Sequence, residues 1–305
     1  MVTTRESPRR NRIRNSRSDR IFYAIVTVVI SLFTITVLYP ILFVIASSFS
    51  SGEAVSSGKV VLWPVDFSLD GYRAVLKNKN IGMGYINTIE YTVVGTAVNL
   101  AITMLCAYPM SRRDMPLRKT LTFIFCFTMY FGGGLIPSYL LNKNIGLINT
   151  FWVMIIPGAM SVYNMIIAWT SISTNIPNEL LEAATLDGCS DFGFFVRIVL
   201  PLSKAIMAVL TLYYAVGHWN NYFSAMIYLN DRDKQPLQII LREILVAGRV
   251  ESEMMGDAES YAAYAQLADL LKFSLIMVST VPIMCVYPFI QKYFVKGVMI
   301  GSLKG

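Results

Sequence analysis

The chain has 305 residues, of which 55% are hydrophobic and only 15% are charged. Soluble domains have a smaller apolar share and about a quarter of their residues charged, so the composition excludes an ordinary soluble domain and indicates a membrane protein with several spans. The net charge of +7 does not indicate a nucleic-acid partner, because seven of the 26 basic residues are arginines within the first twenty positions. Such a tail is typical of a topology signal and of a contact with anionic membrane lipid. The four cysteines have neither paired nor metal-like spacing, so we expect no disulfide and no metal site.

After the basic tail, residues 1–20, the sequence predicts a single membrane domain over residues 21–305. Six stretches free of Asp, Glu, Lys and Arg are long enough, or nearly so, to cross the roughly 30 Å hydrocarbon core of a bilayer. The first is longer than the core of a signal peptide, so we interpret it as a retained span. Prolines in or beside the stretches predict broken helices, which favour a transporter over a static anchor. The six stretches are Ile21–Ala46, Tyr91–Met110, Thr120–Leu141, Ile145–Thr174, Ala205–Leu229 and Phe273–Ile290.

The basic loops set the predicted orientation. The N-terminal tail, the loop Ser111–Lys119 and the C-terminal lysines fall on one side of the six spans, and an excess of Lys and Arg marks the cytoplasmic side. We therefore expect both termini in the cytoplasm, together with the loop at about 175–200, whose acids outnumber its bases. The segments at about 47–84 and 230–271 are expected outside.

The loop between the fourth and fifth stretches predicts a short helix beside the membrane. Pro177 suits the first turn of a helix, the acid that follows at Glu179 complements the helix dipole, and Gly188 can end the helix in a left-handed turn. The predicted helix has about ten residues, roughly 15 Å in length. An acidic helix held between two spans is suited to carry force or information across an interface.

The same residues carry a family resemblance. Glu182-Ala183-Ala184, three residues, Gly188, nine residues and then Ile198–Pro201 resemble the cytoplasmic signature loop of permease subunits of binding-protein-dependent ABC importers. From about Tyr85 onward the layout resembles the smaller permease of maltose-type sugar importers. The segment Gly132–Trp152 and the ending from Tyr287 are similar to permeases for complex oligosaccharides.

This resemblance implies an all-α integral membrane protein of the type I ABC importer permease fold, with six spans and a cytoplasmic coupling helix. It also implies a bacterial inner or plasma membrane location, a second homologous permease as partner, two ATPase subunits and an extracytoplasmic sugar-binding protein. The chain itself has no GxxxxGK[ST] loop, so ATP and Mg are expected on the ATPase subunits. We expect no cofactor on this chain and no catalytic residues in it.

The resemblance assigns a contact with the ATPase to the predicted helix. The acidic side chains are expected to face basic or polar groups, and the small residues are expected to allow close approach. The implied coupling residues are Glu179, Glu182, Ala183, Ala184, Asp187 and Gly188.

A polar run in the fifth stretch is the candidate translocation path. His218, Trp219, Asn220 and Asn221 follow one another, and four such side chains are costly in lipid, so at least some are expected to face the bundle or water. Trp and Asn suit a sugar, whose faces stack on aromatic rings and whose hydroxyls need amide partners. The resemblance places His218 and Asn221 in the path, with weaker candidates in the fourth stretch, Tyr163 and Asn164. The alternative is an aromatic belt at the outer interface together with interhelical hydrogen bonds.

The acidic outer segment Glu251–Asp269 has a further implied role. The resemblance gives it a loop that enters the docked receptor, with Asp257, Tyr261 and Tyr264 as contacts. The alternative is a solvated loop without a partner.

Other classes of protein remain as alternatives. An intramembrane enzyme would need a catalytic motif, but the chain has one histidine and neither HExxH nor GxSxG. A secondary transporter would show internal repeats and charged relay residues within its spans, which are not evident here. The same permease architecture could also serve a different solute, such as a peptide or a polyol.

Overall fold

The computed structural model describes residues 16–244, 271–285 and 288, and all regular secondary structure in these parts is helical. This confirms the predicted all-α class. In chain order the helices are α1 (Arg17–Ser48), α2 (Gly52–Ser56), α3 (Asp70–Lys77), α4 (Lys79–Ser111), α5 (Arg118–Tyr130), α6 (Leu135–Asn144), α7 (Val162–Asn175), α8 (Asn178–Leu186), α9 (Asp191–Leu202), α10 (Lys204–Trp219), α11 (Phe223–Tyr228), α12 (described over 237–244) and α13 (Leu271–Cys285).

Two helices are long and apolar enough to cross a membrane as single rods. They are α1, with 32 residues, and α4, with 33 residues. The most apolar window of α1 has none of its residues buried inside the chain, whereas part of the corresponding window of α4 is buried. A helix that is apolar all round and uncovered by its own chain is suited to lipid or to another subunit.

Two of the predicted stretches, the third and the fourth, are bent rather than straight, and a further bend lies just before the fifth. The axes of α5 and α6 differ by 111°, those of the short 3-10 segment Phe151–Gly158 and α7 by 54°, and those of α9 and α10 by 80°. If each bent pair counts as one span, the described helices supply up to five by length and composition, and α13 is shorter than a full span. The bend between α5 and α6 falls at three consecutive glycines, of which Gly134 has a φ of +84°, a conformation that glycine adopts without strain.

The core is organised around α4. This helix packs against α7 and α10, and one cluster of buried side chains joins all three helices. The cluster also includes Ala184 of α8 and two phenylalanines of α9, so the short helices after α7 are fastened to the bundle. Members of the cluster include Met104, Ala107, Met165, Ala168, Leu210, Tyr214, Phe194 and Phe195.

At the end of the molecule away from α8, a clasp holds the segment that follows α11. Asn149 has a φ of +60°, and its side-chain oxygen accepts hydrogen bonds from the backbone N–H groups of Asn230 (3.1 Å) and Asp231 (3.0 Å). The Lys234 ammonium donates to the Asn149 carbonyl (2.8 Å) and to the Asp231 carboxylate (2.7 Å). Hydrogen bonds from Lys234 and Asn149 hold the pKa of Asp231 below its usual range. The clasp therefore fixes the chain between α11 and α12.

Candidate functional site

Helix α8 carries the residues of the signature loop. Pro177 lies one position before the helix, with φ −63° and ψ 147°, rather than in the first turn as predicted. At the other end, Gly188 has a φ of +76°, and its N–H donates to the Thr185 carbonyl at 3.0 Å. The Cys189 N–H donates to the Ala184 carbonyl at 2.9 Å. This pair of bonds is a Schellman motif, so the predicted helix end at Gly188 is confirmed.

The two faces of α8 differ in exposure. Glu179, Glu182, Ala183 and Asp187 are exposed, and so is Gly188 just beyond the helix. Ala184 is only 8% exposed and packs in the core of its own chain. Its small size therefore lets α8 approach the bundle of this subunit, whereas the expectation from sequence was close approach of a partner.

Two leucines of α8 were missed by the sequence reasoning. Leu186 is 89% exposed and Leu180 is also exposed. The available signal was that both leucines occur in a short polar helix with several acidic residues. The two leucines add apolar area to the outward surface of α8, which the sequence analysis treated as an acidic surface.

An arginine fastens the end of α4 to the segment that follows α8. Arg112 donates hydrogen bonds to Asp114, to Asp191 in α9 and to the hydroxyl of Tyr108 (3.3 Å). The hydrogen bond from Arg112 holds the pKa of Asp114 below its usual value, although partial burial opposes the shift. The cationic side chain thus bridges α4 and α9 next to α8.

His218 lies in a polar network inside the bundle. Its Nε2 is 2.7 Å from Oδ1 of Asn99, which is 1% exposed, and the Asn99 amide nitrogen donates to the Gly158 carbonyl at 2.5 Å. The imidazole also packs directly on Gly95, where an added Cβ would lie 2.5 Å from the ring. The network joins α4, α10 and the 3-10 segment before α7. Asn99 was not among the residues predicted from the sequence. Its polar amide in the middle of an apolar stretch was the feature that could have identified it.

The other predicted path residues do not meet in one place. Trp219 is buried, and its indole N–H donates to the Ser279 carbonyl of α13 at 3.1 Å. The side-chain oxygen of Asn221 accepts a hydrogen bond from the Ser224 N–H at 3.2 Å. The side-chain amide nitrogen of the exposed Asn220 donates to the Val216 carbonyl of its own helix at 3.0 Å. For His218 and Trp219 this geometry favours the alternative of interhelical hydrogen bonds.

In the fourth stretch, Tyr163 is exposed and Asn164 is buried near the start of α7. The predicted receptor contacts Asp257, Tyr261 and Tyr264 lie outside the described residues. Within the described residues, no group of three His, Cys, Asp or Glu side chains is placed to hold a metal ion.

A helical bundle with apolar spans, broken helices and a short acidic helix fastened to its end is an arrangement suited to a membrane transport permease. The profile of the family described as "Binding-protein-dependent transport system inner membrane component" matches residues 10–300, and the chain belongs to this family. The family is a membrane component of ABC importers and not an enzyme.

Relatives and a solved structure agree with this assignment. The chain is 41% identical over 288 residues to the "Polygalacturonan/rhamnogalacturonan transport system permease protein YtcP" of Bacillus subtilis (strain 168), which covers 94% of this chain and 99% of the relative. It is 41% identical over 271 residues to "Protein LplC" of the same organism, with coverage of 89% and 90%. It also superimposes with a TM-score of 0.83 and 34% identity on a chain of a bacterial ABC transporter involved in the import of the acidic polysaccharide alginate, covering 93% of this chain and 100% of that one.

Proposed function

We propose that this chain is one permease subunit of an ATP-driven importer for carbohydrate, and that its substrates are oligosaccharides containing sugar acids. The single observation that carries the proposal is the match along nearly the whole length to YtcP and to the alginate transporter chain. Alginate is described as acidic, and galacturonan is by chemical definition a polymer of a sugar acid. An importer for a non-sugar solute is the less favoured alternative.

The proposed assembly pairs this chain with a second, homologous permease on two ATPase subunits, which bind ATP and Mg. An extracytoplasmic sugar-binding protein delivers the substrate, and Asp257, Tyr261 and Tyr264 are proposed contacts with it. We propose six spans in a bacterial cell membrane, with both termini and α8 in the cytoplasm. The uncovered apolar length of α1 is available to lipid and to the second permease.

In the proposed mechanism, α8 docks on an ATPase subunit through Glu179, Glu182, Ala183, Asp187 and Gly188. The exposed Leu180 and Leu186 add apolar contact, and Ala184 transmits movement because it is embedded in the core of its own chain. A shift of a two-state equilibrium from 1:99 to 99:1 requires about 5.5 kcal/mol of differential binding. ATP bound by the partner subunits and the docked receptor together supply this bias.

For the sugar path, the exposed Tyr163 and Asn220 and the neighbouring Asn221 are the proposed lining groups. The buried Asn164 and Trp219 and the half-buried His218 then lie behind this lining and support it. His218 ties α10 to α4 through Asn99, and Trp219 ties α10 to α13. Their proposed contribution is to hold the helices that present the lining.

The coupling proposal is tested by receptor-stimulated ATP hydrolysis of the reconstituted transporter, comparing Glu182→Lys with wild type. Like-charge juxtaposition at an interface costs several kcal/mol, so stimulation is expected to fall at least about tenfold. Glu53→Lys is the matched control, because Glu53 is also exposed but lies on α2, far from α8 in sequence. If both variants hydrolyse ATP like the wild type in a correctly assembled complex, α8 is not the coupling element.

The substrate class is tested separately, by uptake of labelled trigalacturonate and maltotriose into cells with and without this chain. The proposal expects chain-dependent uptake of the acidic trisaccharide. Uptake of neither sugar, with chain-dependent uptake of a peptide or a polyol instead, would establish the alternative.

A further inference from the structure

A cluster of basic side chains lies where α4 ends and α5 begins. Arg112, Arg113, Arg118 and Lys119 fall within eight positions. The charge of Arg112 is neutralised by Asp114 and Asp191. In the parts of the chain that the structure describes, no carboxylate pairs with the other three cations, so their positive charge is available to a ligand.

An open groove of about 690 Å³ lies beside these free cations. The guanidinium of Arg118 stands 5.1 Å from the centre of the Trp169 ring, a cation–π contact that fixes the charge at the wall of the groove. The lining combines three basic side chains with apolar and weakly polar ones, and no carboxylate contributes to it. The lining residues are Arg113, Met115, Leu117, Arg118, Lys119, Thr122 and Trp169.

A second cavity, of about 460 Å³, continues from the first. The two share Arg113 and Arg118, and the second reaches Pro177 and Glu179 at the start of α8. A ligand of the basic groove would therefore lie next to the helix that we propose docks on the ATPase.

The chemistry of the groove matches an amphiphilic anion. A phosphodiester needs basic partners, and the acyl chains next to it need the apolar surface that Met115, Leu117 and Trp169 provide. Trp, Arg and Lys are also the side chains typical of the headgroup depth of a membrane. A free phosphate ion would use the cations but would leave the apolar wall unused.

We propose that this groove binds the headgroup of an anionic phospholipid, with Arg113, Arg118 and Lys119 on the phosphate and Trp169 beside the glycerol and upper acyl region. The proposal rests on the orientation given above, in which these residues lie at the cytoplasmic leaflet. It does not depend on which sugar is imported.

The test uses the complete transporter in phosphatidylcholine vesicles that contain brominated phosphatidylglycerol or, in a parallel series, brominated phosphatidylcholine. Bromine quenches nearby tryptophan fluorescence, and subtracting the signal of Trp169→Phe isolates Trp169 from the other tryptophans. Wild type is expected to show a clear excess of Trp169 quenching by the anionic lipid. A basic residue near an anionic surface contributes about a factor of five in binding, so Arg118→Gln/Lys119→Gln is expected to lower the preference for phosphatidylglycerol about 25-fold.

Two controls match the test variant. Lys204→Gln removes an exposed cation that lines neither cavity, and Arg118→Lys keeps the charge of the groove; both are expected to retain the preference. Equal quenching by the two lipids in wild type, or an unchanged preference in the double variant, would overturn the proposal. Loss of the preference on addition of millimolar inorganic phosphate would also overturn it, because the site would then be one for soluble phosphate. Tryptophan quenching measures lipid binding and does not require transport. A negative result here is therefore distinct from a failure of the proposed import function.

Discussion

Gly95→Ala is the sharpest test of the packing between α4 and α10. A Cβ at this position would lie 2.5 Å from Cε1 and Nε2 of His218, a separation that real Cβ atoms do not tolerate. The imidazole cannot yield freely, because its Nε2 is held by Asn99 at 2.7 Å. Overpacking of a core costs about 1–3 kcal/mol, and loss of the His218–Asn99 hydrogen bond adds about 1 kcal/mol. The helix preference of alanine over glycine offsets up to about 1 kcal/mol of this cost, so we expect Gly95→Ala to destabilise the subunit by about 1–4 kcal/mol.

Gly82→Ala is the matched control for this prediction. Gly82 lies in the same helix, and an added Cβ there meets no atom within 4 Å. Since alanine favours a helix over glycine by up to about 1 kcal/mol, Gly82→Ala is expected to be neutral or stabilising. The assay is thermal unfolding of the purified complex. It is monitored by size-exclusion chromatography, as the fraction of the complex that still elutes as the intact assembly after heating.

The rescue variant Gly95→Ala/His218→Ala makes the reasoning refutable. Without the imidazole the overlap disappears, so the double variant is expected to be less destabilised than the sum of its two single changes. If Gly95→Ala unfolds at the same temperature as Gly82→Ala, or if the two changes are simply additive, the contact between Gly95 and His218 is not as the structure places it.

Three further predictions concern the ends of helices and the clasp. Gly188→Ala forces alanine into a left-handed turn at φ +76° and is expected to destabilise the end of α8 by about 1–2 kcal/mol. Gly217 has free space around it and no such turn, so the control Gly217→Ala is expected to be neutral in thermal unfolding. Asn149→Gly keeps the positive φ but removes the side-chain hydrogen bonds to Asn230 and Asp231, so a loss of about 1–2 kcal/mol in thermal unfolding is expected. Asn149→Asp would place a second carboxylate beside Asp231 and is also expected to destabilise the clasp. Arg112→Gln removes the cation that holds the pKa of Asp114 below its ordinary value. The small stabilisation from this pair is present above the ordinary carboxyl pKa and is lost as the pH falls through the lowered pKa, so wild type is expected to lose stability in acid, whereas the stability of the variant is expected to depend less on pH there.

The sequence predicted those features that short segments determine by themselves. The end of α8 follows from Gly188, whose left-handed turn needs no distant partner, and the apolar runs sufficed to predict an all-α chain. The bend angles could not be predicted from the sequence, because the angle between two helices depends on what each of them packs against. The site shows the same limit: Asn99 and His218 are 119 positions apart, and the burial of Ala184 depends on contacts with other helices. Prediction from one sequence therefore identified the exposed acids of α8 correctly. It placed His218 and Trp219 in the candidate path but could not identify Asn99 and Ser279, the residues to which they are hydrogen-bonded.

The contacts along α4 bear on how movement at one end of the subunit reaches the other. Near its start, Asn87 donates to the Asp233 carbonyl at 2.7 Å, and Thr88 accepts from the Leu237 N–H at 2.9 Å. Near its end, Arg112 bridges to α9 beside α8. Arg112 follows Asn87 by 25 positions, which corresponds to about 38 Å along the helix.

Because α4 is one continuous helix, while three pairs of helical segments are bent, we expect a displacement of α8 and α9 to move α4 as a whole rod. The bent pairs are then the places where the bundle adjusts to that movement. In the middle of the rod, the hydrogen bond that Nε2 of His218 donates to Oδ1 of Asn99 ties α10 to α4. Loss of that bond should therefore separate movement of α10 from movement of α4, even where α8 and the outer clasp remain intact.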